Sequence, residues 1–330
     1  MKKIIFIVTF FLILSDLSYG QILPANRYFY NNRLLDLTLQ PASFAYSFRK
    51  LRTAYTGFAL KVRRGTDNAE ADVAFDIKEI VSLNSLVTVT FAGTSSLIVG
   101  QTLTYSAFIN SQTIYVNTWY DQSKKIYNAI QTDVLLQPKI VLNSSGVSND
   151  LPSILFNGAN RERLIILQPI QNLALNGVSA TYMTVLKPTE NSKEQLSFGL
   201  QTGGNRWTLS TNWNDDNLYF DSSEGTTCCA SNRSFQNNTN MFFYKQYSFV
   251  RGSTYKTARF NSTSTILNNS PSPSTPFTGG NFGIGYWYLD CCLANPGFYG
   301  NVSEIVMFPI DLQIPELLTL EINQKNFWQL

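Results

Sequence analysis

Short segments of alternating or fully apolar side chains run along most of the chain, and turn residues separate them. These segments cover residues 58–64, 114–120, 153–156, 180–186, 195–200, 206–210, 217–220, 241–250, 255–260, 281–288 and 300–308. Period-two alternation between turn residues is typical of β-strands. Because long helices and alternating strand–helix units are absent from the pattern, it predicts an all-β protein built as a β-sandwich or jelly roll.

Two short helices are expected at the periphery of this sandwich. Ser43 is a candidate N-cap for a helix over residues 45–51, and Pro315 fits the first turn of a helix over residues 316–327. No proline-rich linker and no repeat of fixed period divides the chain. We therefore expect residues 21–330 to form a single domain.

The first 20 residues have the pattern of a secretory signal peptide. Lys2 and Lys3 precede a short apolar run over residues 4–14, and small residues lead to a cleavage site near Gly20. The run is shorter than the roughly 20 residues that cross a bilayer, and no later stretch is long and apolar enough. The sequence thus predicts a secreted or cell-surface protein without membrane insertion.

The chain of 330 residues contains no histidine, which narrows the possible chemistry. Ser-His-Asp and Cys-His catalysis and His-ligated metal sites are excluded. Charged residues make up only 14% of the chain, and the net charge is +3. Removal of the signal peptide would leave a nearly neutral protein, so nucleic acid is not an expected partner. We expect neither a metal nor another cofactor.

Four cysteines form two adjacent pairs, Cys228-Cys229 and Cys291-Cys292. Export would place them in an oxidising compartment, where disulfides form. Cross-linking of the two pairs is the expected arrangement, because a bridge between adjacent cysteines is strained. Closure of each pair on itself is the alternative, and a zinc site of four cysteines is disfavoured because adjacent cysteines lack the usual spacer.

Without histidine, a pair of carboxylates is the plausible catalytic group, and glycoside hydrolysis requires only such a pair. Asp221 and Glu224 follow a predicted strand and precede the first cysteine pair, while Asp290 directly precedes the second pair. Cross-linked cysteines would bring these acids together. The aromatic side chains expected to stack on sugar rings nearby are Trp207, Tyr219, Trp287 and Tyr288.

The other acids have structural interpretations. Asp67, Glu70 and Asp72 are expected in a solvated charged loop beside two arginines. Glu304 alternates outward on its strand, and Asp121 is expected to hold a turn after a buried strand rather than to take part in chemistry.

Several segments resemble the catalytic domain of the α-L-arabinofuranosidase B family, glycoside hydrolase family 54. Residues 46–57 and 62–68 resemble its N-terminal block, and Thr118-Trp119-Tyr120-Asp121-Gln122-Ser123 resembles its Asp-Gln-Ser block. Residues 282–285 and 297–306 resemble two later strands. The match spans about residues 40–330, and the Asp-Gln-Ser block is its most specific part.

The resemblance implies a concanavalin-like β-sandwich and a secreted, retaining, exo-acting enzyme on arabinose-containing polysaccharides. It also implies roles at the site, with Glu224 or Asp221 as nucleophile and Asp290 as acid. The chain departs from the family here: Trp287 stands at the position of the family's acid/base aspartate, and the segment leading to Glu224 is one residue longer.

Three functional hypotheses remain open on the sequence. The first is a glycoside hydrolase of arabinofuranosidase type, whose carboxyl groups would lie about 5–5.5 Å apart. The second is a non-catalytic carbohydrate-binding or adhesion domain on the same fold. The third is a structural module of a secreted matrix.

Overall fold

The computed structural model describes residues 32–142, 151–202, 205–222, 234–265, 267, 278–287 and 296–330. The signal-peptide prediction therefore lies outside the described residues. The strands are Phe44–Ser47 (β1), Leu60–Arg64 (β2), Glu70–Val73 (β3), Leu86–Phe91 (β4), Thr102–Thr104 (β5), Ile114–Trp119 (β6), Ala129–Ile130 (β7), Lys139–Val141 (β8), Ser153–Phe156 (β9), Leu164–Ile166 (β10), Ala180–Pro188 (β11), Phe198–Thr202 (β12), Asn205–Ser210 (β13), Asn217–Ser222 (β14), Phe235–Asn237 (β15), Lys245–Arg251 (β16), Lys256–Phe260 (β17), Thr263–Thr265 (β18), Phe282–Ile284 (β19) and Gly300–Phe308 (β20). The α-helices are Tyr105–Ile109 (α1), Ile170–Leu173 (α2) and Ile314–Trp328 (α3).

The strands form two antiparallel layers. The first runs β18–β17–β16–β11–β20, and β1 and β9 pair with different halves of β20. The second runs β5–β4–β3–β2–β6–β7–β10–β19–β12–β13–β14–β15. β8 joins the layers at one side, because it pairs with both β6 and β9. The predicted all-β sandwich with peripheral helices is confirmed.

Aromatic side chains from both layers fill the core between them. Phe44 and Tyr182 of the first layer lie 5.8 and 6.0 Å from Phe282 of the second, measured between ring centroids. Phe249 contacts Phe220 at 5.5 Å. Rings at these separations contribute about 0.5–1.5 kcal/mol per pair beyond the area that they bury.

Helix α3 covers the outer face of the first layer. Its Leu317 and Leu320 pack on Val306, which alternates away from the main core. Glu321 of the helix pairs with Arg259 of β17 at 2.8 Å. Pro315 lies in the first turn, as predicted.

The predicted helix over residues 45–51 is wrong, because β1 occupies its first half and pairs with β20. The Asp-Gln-Ser segment binds the backbone that a helix would need. Ala45 N–H donates to Asp121 Oδ1 at 2.8 Å, and Leu51 N–H donates to Gln122 Oε1 at 2.7 Å. Tertiary contacts thus override the local capping signal.

Asp121 has the structural role that the sequence predicted. It is 2% exposed, and its carboxylate accepts four hydrogen bonds, two of them from Ser123 and one each from the N–H groups of Ala45 and Tyr127. The carboxylate therefore fixes the turn after β6 to the start of β1.

The predicted solvated charged loop over Asp67, Glu70 and Asp72 is wrong in part, because residues 70–73 form β3 against β2. Asp67 pairs with Arg64 at 2.6 Å, while Asp72 accepts a hydrogen bond from Tyr120. Glu304 does alternate away from the core, but it is fully buried under α3 rather than solvated. Within the described residues, no helix is long and apolar enough to cross a membrane.

Candidate functional site

The predicted site begins on the outer face of the second layer, at β13 and β14. Leu209 and Phe220 point into the core between the layers. Since side chains alternate along a strand, Thr208 and Asp221, which pair directly, point to the opposite face. This outer face carries the one predicted catalytic residue that lies within the described residues, Asp221.

Asp221 forms a buried ion pair with Arg206 on the neighbouring strand. The distance from Arg206 Nε to Asp221 Oδ2 is 3.1 Å, and the two side chains are 2% and 0% exposed. Thr208 Oγ1 lies 3.5 Å from the same oxygen. Because Oδ2 is held by these neighbours, Asp221 is suited to fixing the end of β14 rather than to attacking a substrate.

Two rows of mostly small residues cross this face, one of which includes Asp221, and we call them the polar strip. By strand register and alternation, the strip contains Gly283, Gly199, Thr208, Asp221, Ser197 and Ser210. Gly199 has φ +115°, and a Cβ atom there would lie 2.1 Å from the Trp207 carbonyl oxygen. The strip therefore excludes a side chain at its centre, and its hydroxyl-bearing residues Ser197, Thr208 and Ser210 are buried.

An aromatic cluster borders one end of the strip, and it consists of Leu196, Trp213, Tyr219, Tyr286 and Trp287. Tyr219 is half-buried, lies 5.3 Å from the Trp213 ring and donates to Asp215 Oδ2 at 2.6 Å. The backbone N–H of Trp287 donates to the Leu196 carbonyl oxygen at 3.3 Å. The cluster thus leaves the Tyr219 ring partly accessible at the border of the strip.

Two of the predicted stacking residues, Trp207 and Trp287, are buried rather than exposed. Trp207 is fully buried in the core and contacts Phe220 and Phe282, so it is not an exposed stacking surface. Trp287 is on the expected face but is only 1% exposed, and it serves as packing beneath the site. Tyr219 alone of the three described candidates retains accessible surface.

The remaining site predictions lie outside the described residues. They are Glu224, Tyr288, Asp290, Cys228, Cys229, Cys291 and Cys292.

Sequence reasoning missed Arg206 and Glu162. The alternation of residues 206–210 could have found Arg206, because it places Arg206 and Thr208 opposite the apolar Trp207. Glu162 is 4% exposed, and burial raises its pKa. The Glu162 carboxylate accepts a hydrogen bond from Asn157 N–H at 2.8 Å, which holds the loop over residues 157–163. Arg161 and Arg163 of this loop lie over the Tyr286 ring.

The fold is shared with arabinofuranosidases of known structure. A crystal structure of an arabinofuranosidase complexed with arabinofuranosyl-α-1,2-xylobiose matches with TM-score 0.54 and 15% identity over 88% of this chain. A mutant of a GH54 α-L-arabinofuranosidase soaked with 4-nitrophenyl α-L-arabinofuranoside matches with TM-score 0.53 and 15% identity over 86% of this chain. The chain spans 63% and 62% of the lengths of these two structures.

No protein-family model matches the chain, and no curated protein matches it. At this level of identity the structural matches define the fold class, a β-sandwich of the GH54 arabinofuranosidase type.

Proposed function

We propose that the chain is a secreted glycoside hydrolase that removes terminal arabinofuranosyl residues from polysaccharide with retention of configuration. The observation that carries this proposal is the position of Asp221 on the outer face of the second layer at the end of β14, where it is buried against Arg206, on a sandwich of the arabinofuranosidase type. Glu224 follows Asp221 by three residues in sequence. The ion pair with Arg206 thus anchors the strand that leads to a second carboxylate.

In this proposal Glu224 is the nucleophile and Asp290 is the acid/base. The Asp290 carboxyl protonates the glycosidic oxygen as the Glu224 carboxylate forms a bond to the anomeric carbon and the C–O bond to the leaving group breaks. Asp290 then takes a proton from water, which attacks the anomeric carbon and releases Glu224. Asp221 positions the nucleophile segment, and Tyr219 contacts the sugar.

The secreted location is supported by the pattern of residues 1–20. A cross-link between the two cysteine pairs would hold the Glu224 and Asp290 segments together, because each acid lies within five residues of a pair. This linkage is part of the proposal.

Hydrolysis of an aryl α-L-arabinofuranoside by the full chain tests the assignment. Glu224→Gln and Asp290→Asn should each lower kcat/KM at least about 100-fold. Asp133→Asn changes an exposed acid outside the polar strip and the aromatic cluster; it should retain the parent rate and serves as the matched control. The proposal fails if folded parent protein releases no aryl alcohol, or if the Glu224 variant is as active as the control.

A glycan-binding domain without hydrolysis is the second candidate, and one observation favours it. Trp287 stands where the resemblance places an acid/base aspartate, and its side chain is buried packing. This candidate predicts arabinan binding that Tyr219→Ala weakens, with no hydrolysis by the parent protein. Measurable turnover that depends on Glu224 would reject it.

A further inference from the structure

A second groove lies away from Asp221, at the end of β6 where the Asp-Gln-Ser turn begins. Its volume is about 550 Å³, and the residues that line it include Arg52, Tyr55, Phe58, Tyr120, Lys124 and Ile126. Six strand-to-strand steps separate β6 from β14, or roughly 29 Å along the sheet at the usual strand spacing. The groove is therefore distinct from the proposed catalytic face.

Aromatic rings form one wall of this groove. The Phe58 and Tyr120 rings lie 6.5 Å apart, and Tyr55 donates from its hydroxyl to the Phe58 carbonyl oxygen at 2.7 Å. Phe58 is 37% exposed, so part of its ring is accessible from the groove that it lines. Aromatic faces held rigidly in a groove offer large apolar contact at small entropic cost.

Two cationic side chains, Arg52 and Lys124, also line the groove. Lys124 is exposed, and Arg52 Nε is buried without a hydrogen-bond partner among the described residues. Asp121 also lines the groove, but it is 2% exposed, and its carboxylate accepts four hydrogen bonds from Ala45, Ser123 and Tyr127. Among the described residues, the accessible charged groups that line the groove are therefore Arg52 and Lys124, and these cations favour an anionic ligand.

The part of the groove that carries the two cations continues into a neighbouring pocket. Arg52, Ser123 and Lys124 also line this smaller pocket of about 100 Å³ beside Leu39. A groove that extends past its cations fits a chain-like ligand better than a single small anion.

We propose that this groove binds a glycan segment that carries hexuronate carboxylates. Arg52 and Lys124 bind the carboxylates, while Phe58 and Tyr120 contact the apolar faces of the sugar rings. This second site goes beyond the proposed hydrolysis and does not depend on it, since binding here involves none of Glu224, Asp290 or Asp221.

Isothermal titration of the full chain with hexagalacturonate at low ionic strength tests the proposal. We expect saturable binding that is weakened about tenfold by Arg52→Gln, by Lys124→Gln and by Phe58→Ala. The matched control is Lys78→Gln, an exposed lysine outside the groove, which should bind like the parent. Circular dichroism of each variant at equal temperature verifies that it is folded.

Binding of other ligands, compared with binding of hexagalacturonate, shows which chemical group the groove recognises. A carboxyl-reduced hexasaccharide should bind at least about tenfold more weakly than hexagalacturonate. Equal binding of the two, unchanged binding by Lys124→Gln, or absence of binding by the parent would overturn the proposal. So would equal competition by poly-glutamate or by a single-stranded oligonucleotide, because the groove would then recognise charge or stacked bases rather than a uronate glycan. Hydrolysis of the aryl arabinofuranoside is measured separately, so failure of either proposal is recognisable on its own.

Discussion

Arg206 and Asp221 face each other on neighbouring strands of the second layer, with 3.1 Å between Nε and Oδ2. Both side chains are shielded from solvent. A buried charge without a partner of opposite sign is strongly destabilising. The pair therefore fixes β14 to β13 at the point where the chain continues toward Glu224. The same pair thus serves the stability of the strand and the geometry of the proposed site.

Loss of the guanidinium should destabilise the protein strongly. We expect Arg206→Met to lower the free energy of unfolding by about 3–5 kcal/mol, because Asp221 remains as an uncompensated buried charge. The double variant Arg206→Met with Asp221→Leu should recover a large part of this loss. Urea unfolding of both variants measures the coupling. A single variant as stable as the exposed-site control Lys193→Met would contradict the expectation.

Glu304 gives the protein a pH-dependent contribution to stability. It accepts five hydrogen bonds under helix α3: two from Arg49 and one each from Ser47, Gln324 and Trp328. Burial acts to raise the pKa of Glu304, but Arg49 and the hydrogen bonds outweigh it, so the pKa lies below its ordinary value. A depressed pKa means that the folded state favours the ionised carboxylate.

The sign of the pH effect follows from this direction. The contribution of Glu304 is fully present above its unfolded pKa of about 4.3, and it is lost as the pH falls through the folded pKa. Glu304→Gln should therefore be less stable than the parent by a constant amount between about pH 5 and 8, and the gap should narrow below about pH 4.3. Denaturant unfolding at several pH values measures the gap, with Asp133→Asn as an exposed-acid control. A gap that widens on acidification would show that the direction is wrong.

Much of the fold could be predicted from alternation alone. The predicted strands at residues 153–156 and 300–308 coincide with β9 and β20, because in each a short apolar segment lies between clear turn signals. The helix near the C-terminus was equally clear, since Pro315 marks its first turn. Alternation along a strand and a proline in the first turn of a helix involve residues that are close in sequence, so the sequence shows them directly.

What the sequence could not show depends on distant partners. Residues 44–47 form a strand because β20 and the Asp-Gln-Ser turn, far away in sequence, bind their backbone. The charges of Glu70 and Asp72 suggested a loop, yet both residues lie in β3, which pairs with β2. In the same way, Trp207 could be placed on a strand but not on a face until its contacts with Phe220 and Phe282 were known.

Tyr219 and Trp207 should respond differently to truncation, because one is partly accessible and the other lies in the core. Tyr219→Ala should weaken binding of an arabino-oligosaccharide about tenfold with little loss of stability. Trp207→Ala should instead lower the free energy of unfolding by about 3–5 kcal/mol. Titration calorimetry and urea unfolding of both variants separate the effects. If Tyr219→Ala bound saccharide like the parent, the aromatic cluster would not be part of the site.

Gly199 provides a test of how the polar strip is built. Its φ of +115° is unfavourable for other residues, and a Cβ atom would also lie 2.1 Å from the Trp207 carbonyl oxygen. Gly100 is a matched control, because its φ is +87° and a Cβ atom there would meet nothing within 4 Å. Gly100→Ala should therefore lower the free energy of unfolding by about 1 kcal/mol from backbone strain alone, and Gly199→Ala by several times as much. The additional loss reports the steric contact, since β12 and β13 must separate to admit the methyl group. Equal losses at both positions would mean that the strip tolerates a side chain, and that its glycine serves only the backbone conformation.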